Sequence, residues 1–133
     1  MRRRLRWRDE SGSSVVGFAL VTPLLCLVTV GLLHLVFVAH ARAVLVSAAS
    51  EGARVGALSG STIALGEQRA KELAAGMVSP AVLRSVTARR SAESGVPVIV
   101  VRIEAAVPLV AGGPETGFVV EGHALVEGLP HAG

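Results

Sequence analysis

Residues 15–39 read VVGFALVTPLLCLVTVGLLHLVFVA. From Ser11 to Ala41 there are 31 consecutive residues without Asp, Glu, Lys or Arg, and the interruptions within the apolar run are Pro23 and His34. A hydrocarbon core about 30 Å thick needs roughly 20 apolar residues in a helix. The run supplies them, so the sequence predicts a membrane-spanning helix over residues 13–40.

Immediately before it lie Arg2, Arg3, Arg4, Arg6 and Arg8, balanced only by Asp9 and Glu10. The chain's formal charge of +3 comes wholly from these first twelve residues, because residues 13–133 hold eight basic and eight acidic side chains. A basic surface for nucleic acid spreads Lys and Arg over a folded face and adds aromatics for stacking. Here only Trp7 accompanies the tail, so no nucleic-acid partner is expected. A basic tail abutting an apolar run acts as a topology signal. By the positive-inside rule it stays in the cytoplasm, which predicts a single-pass protein of the cell membrane with its C-terminal part outside.

A cleaved secretory signal has a shorter apolar region, of 7–15 residues, before a small-x-small site. The length here favours an anchor, although Ala39-His40-Ala41 has the A-x-A form and leaves a secreted product starting near Arg42 as an alternative. The single cysteine, Cys26, lies within the run. The exported part therefore has no partner for a disulfide.

The helical pattern continues past the membrane. Residues 41–58, ARAVLVSAASEGARVGAL, contain no proline. A helix from about Ser13 to Leu58 is roughly 70 Å long at 1.5 Å per residue, about twice what a bilayer needs. Residues 41–60 therefore read as a helical stalk. Ala48, Gly52, Gly56 and Gly60 recur every four residues, with Ala49, Ala53 and Ala57 beside them. Such a small-residue stripe admits a second backbone at close range, either from the chain's own domain or from another subunit. Glu51 and Arg54 are spaced to pair on the solvated side.

Residues 61–133 read as an extracytoplasmic α+β domain. Ser61-Thr62 caps a short helix, IALGEQRAKELAAGMV, which Ser79-Pro80 ends. Strands are expected at Val82–Arg90, at Val96–Val107 and at Phe118–Glu127. In the second, Ile99, Val101, Ile103 and Ala105 share one face, with Arg102 and Glu104 on the other. In the third, Phe118, Val120, Ala124 and Val126 oppose Glu121, His123 and Glu127. Loops are expected at Ser91–Gly95 and Ala111–Gly117. A small three-stranded antiparallel sheet needs a helix over its apolar face. The short helix and the stalk are the available covers.

No catalytic or metal constellation is present, and neither cofactor nor small-molecule substrate is expected. His34 sits mid-membrane, where an ionisable residue points to function by default. His40 falls at the outer interface, His123 on a solvated strand face, and His131 in the tail. A zinc site needs three or four convergent donors, which these do not make. The chain does not read as an enzyme.

Residues 12–25, GSSVVGFALVTPLL, and residues 42–54, RAVLVSAASEGAR, resemble the TadE-like family of minor pseudopilins of the tight-adherence (Flp) pilus system. The strand ending in Pro108 and the last strand, Ala124 to Glu127, also fit. The resemblance implies a pilin-like fold and a non-catalytic role in assembling a Flp/Tad-type pilus or a related secretion apparatus. It implies cleavage by prepilin peptidase between Gly12 and Ser13, removing a 1–12 leader. Its implied partners are that peptidase, other Tad pilins or pseudopilins, and the Tad inner-membrane platform. The family usually has Glu at the fifth position after the cleavage glycine, where this chain has Gly17. In pilins that carboxylate meets a neighbouring subunit's new N-terminus. Its lack supports an alternative: an uncleaved single-pass accessory or interaction protein outside any filament.

Overall fold

The computed structural model describes residues 6–110 and 112–128, with side chains from residue 12 onward. The element order is α1 (Arg6–Ala57), α2 (Ile63–Met77), β1 (Leu83–Glu93), β2 (Val96–Pro108) and β3 (Glu115–Leu125). This is the expected α+β arrangement: one long apolar helix, one short helix and a three-stranded antiparallel sheet of order β1-β2-β3. The chain divides into two compact units, Met1–Val36 and Phe37–Gly133. Helix α1 begins seven residues before the expected Ser13, since residues 6–11 contain neither proline nor glycine.

The first unit is helical, and its apolar side chains have no protein to pack on. From Val15 to Val36 the large hydrophobics are between 46% and 74% exposed. A helix that is apolar on every side and unburied fits lipid as its solvent. Polar groups within it are handled locally. The Thr22 and Thr29 hydroxyls donate to the carbonyls of Phe18 and Leu25, both at 2.8 Å. Pro23 is accommodated without ending the helix.

In the second unit the same helix changes character. Ala41, Leu45, Ala48, Ala49, Gly52, Ala53, Gly56 and Ala57 are buried, a spacing that places them on one side of the helix. The expected stalk is thus the core helix of the domain. Its buried side meets Val101, Ile103 and Ala105 of β2, Val86 of β1 and Val120 of β3. Leu45, Ile99, Val101 and Ile103 are among the largest fully buried side chains. Each contributes about 1.5–3 kcal/mol relative to an exposed position.

Helix α2 starts where Thr62, in extended conformation, accepts a hydrogen bond from the Leu65 amide at 3.2 Å. It buries Gly66, Ala70 and Ala74. The β1–β2 connection is tighter than expected. Strand β1 continues to Glu93 because Ser94 and Gly95, with φ of 51° and 82°, make a two-residue turn. Positive φ at both positions matches the twist of paired strands. Strand β3 begins at Glu115 rather than Phe118, pairing Thr116 with Val107 and Glu115 with Pro108. A bulge between Leu83 and Ser85 opens β1.

Candidate functional site: the assembly helix and its packing stripe

The junction expected to be cut, Gly12-Ser13, lies within α1, and both residues are exposed. Gly12 weakens the helix locally, by about 1 kcal/mol relative to alanine. Gly17, the position of the family's usual Glu, is half-exposed, and a β-carbon there would meet open space. Nothing in the protein itself therefore bars a carboxylate at that position. Arg2, Arg3 and Arg4 lie outside the described residues, as do the side chains of Arg6 and Arg8 and the whole of His131.

Of the expected stripe, Ala48, Gly52 and Gly56 are buried and Gly60 is not. Helix α1 ends at Ala57, and Gly60 sits in the following turn with φ of 78°, so it serves the turn rather than the stripe. The stripe's partner is α2. A β-carbon on Gly52 would lie 2.6 Å from that of Ala70 and 2.8 Å from the Gly66 carbonyl oxygen. One on Gly66 would lie 2.6 Å from the Gly52 carbonyl oxygen and 2.8 Å from the Gly56 Cα. The two helices cross with backbones in contact, which only glycine allows at these positions.

A second close approach involves the sheet. A β-carbon on Gly122 of β3 would overlap the Ala49 carbonyl and the Ser50 amide of α1. The sequence reading passed over Gly66 and Gly122. The available signal was a glycine interrupting an amphipathic helix and another interrupting an alternating strand, both marks of close backbone approach.

Electrostatics here hold structure. Arg54 pairs with Glu51 at 3.5 Å, as the spacing predicted. The Glu67 carboxylate accepts from Lys71 at 2.6 Å and from the Ala88 amide of β1 at 3.1 Å. These hydrogen bonds, the Lys71 contact first, hold the Glu67 carboxyl below its ordinary value. Glu67 thereby occupies a backbone donor on the open side of an edge strand, where another chain would otherwise pair. On the solvated sheet face Arg102 contacts Glu104 at 3.2 Å and Glu121 at 3.5 Å. His123 lies 3.4 Å from Glu93 and 3.9 Å from Glu121. The members of this array are partly solvent-exposed.

An open groove of about 550 Å³ is lined by Lys71, Pro80, Leu83, Arg84 and Val86. Its two cations are already paired, Lys71 with Glu67 and Arg84 with Glu115 at 2.5 Å. Among the described residues no group of three or more His, Cys, Asp or Glu is placed to hold a metal ion. Cys26 is exposed on the first unit's helix, His34 is half-buried and His40 exposed.

The long apolar helix and the glycine-lined packing of its second half are the features that comparison with known proteins addresses. No curated protein and no solved structure matches this chain. The family model described as TadE-like protein matches residues 12–54. That match begins at the Gly12-Ser13 junction, takes in the unburied apolar helix, and ends within the part of α1 buried against α2 and the sheet. Over residues 12–54, about a third of its length, the chain is thus similar to the TadE-like family, and that stretch lies on the one described helix long and apolar enough to cross a membrane.

Proposed function

We propose that the protein is a membrane-anchored pseudopilin acting in assembly of a Flp/Tad-type pilus or a related secretion apparatus, without catalysis of its own. The match over residues 12–54 carries this reading, because it covers the segment that would serve as anchor and assembly helix. The basic tail remains cytoplasmic, residues 13–40 cross the membrane and the α+β domain lies outside. Prepilin peptidase removes residues 1–12. The apolar half of α1 then exchanges lipid for the equally apolar interior of a helical bundle, with every helical backbone group still satisfied. Other Tad pilins or pseudopilins and the inner-membrane platform are its partners.

Gly17 favours a second reading, in which the chain stays in the membrane as an uncleaved accessory protein. A carboxylate buried against a neighbour's N-terminus would set register, and this chain brings none at that position.

The two readings share a genetic test. Deleting the chain from a cell that builds a Tad pilus should abolish or sharply reduce surface filaments. Re-expression of the full chain should restore them. A chain whose residues 15–39 are replaced by an unrelated membrane span should not restore them if α1 assembles, and should if it merely anchors. Unchanged piliation after deletion would remove the pilus role altogether.

A further inference from the structure

We draw no further inference here: the strongest candidate, the outer edge of β3 from Val119 to Leu125, which pairs only with β2 among the described strands and leaves Val119 and Leu125 exposed beside it, carries nothing because no feature of the structure shows what strand or surface covers it.

Discussion

Gly122 of β3 rests directly on the main chain of Ala49 in α1, leaving no room for a β-carbon between strand and helix. The membrane-derived helix is therefore welded to the sheet by backbone proximity as much as by side-chain interlock. Gly122→Ala would force the helix off the sheet, with a cost of about 1–3 kcal/mol for overpacking a filled site. Gly117→Ala, where the nearest atom would be the Ala105 carbonyl oxygen at 3.9 Å, should change stability by less than about 0.5 kcal/mol. Denaturant unfolding of the full chain in detergent distinguishes the two. Equal midpoints would mean that helix and sheet are not in this contact.

The crossing of α1 and α2 makes a parallel prediction with a change of sign. Gly52→Ala and Gly66→Ala each place a methyl within 2.8 Å of the facing helix, and each should destabilise by about 1–3 kcal/mol. Gly76→Ala, on α2 with open space around it, should instead stabilise by up to about 0.5–1 kcal/mol through helix propensity. Thermal melts followed by circular dichroism report both directions.

This contrast shows what was readable in the sequence and what was not. The anchor was legible because 31 uncharged residues obey a one-dimensional rule of length and polarity. The two faces of β2 were legible because Arg102 and Glu104 break the apolar run on alternate residues. Strand and helix ends were less so. Ser94-Gly95 allows a two-residue turn but does not compel one, and Gly60 shares the four-residue spacing of Gly52 and Gly56 without belonging to the helix. The partners of Gly52 and Gly122 depend on which surfaces meet in three dimensions, which spacing alone leaves open. The leader junction is a matter of family resemblance, since local chemistry at Gly12 is that of any exposed helical glycine.

Glu67 gives a pH prediction. A carboxyl held below its ordinary value of 4.5 stabilises the fold above that pH, and the contribution is lost as pH falls through the lower folded value. The pair is partly exposed, so the effect should be small, of the order of 0.2–1 kcal/mol. Glu67→Gln should lower stability at neutral pH and flatten this part of the acid limb below about pH 4.5. Glu67→Ala, which leaves no acceptor, also frees the Ala88 amide on an edge strand, so concentration-dependent association should rise for that variant. Unfolding curves at several pH values, with light scattering alongside, check both consequences.

Gly17→Glu tests the family's usual residue in this chain. A β-carbon at Gly17 meets open space, so the domain should keep its unfolding midpoint within about 0.5 kcal/mol. If α1 enters a filament, the new carboxylate should raise the share of chain recovered with sheared pili relative to wild type. Immunoblots of sheared and cell-bound fractions give that share. No rise would indicate that this chain sets its register without the carboxylate.

The account turns most directly on where the mature chain begins. Intact-mass analysis of the protein purified from membranes, after co-expression with a Tad prepilin peptidase, should return a species starting at Ser13 and lacking the five-arginine tail. A Gly12→Leu variant should retain the full mass. A wild-type mass that still starts at Met1 under those conditions would contradict the processed assembly-helix account and leave the uncleaved accessory protein in its place.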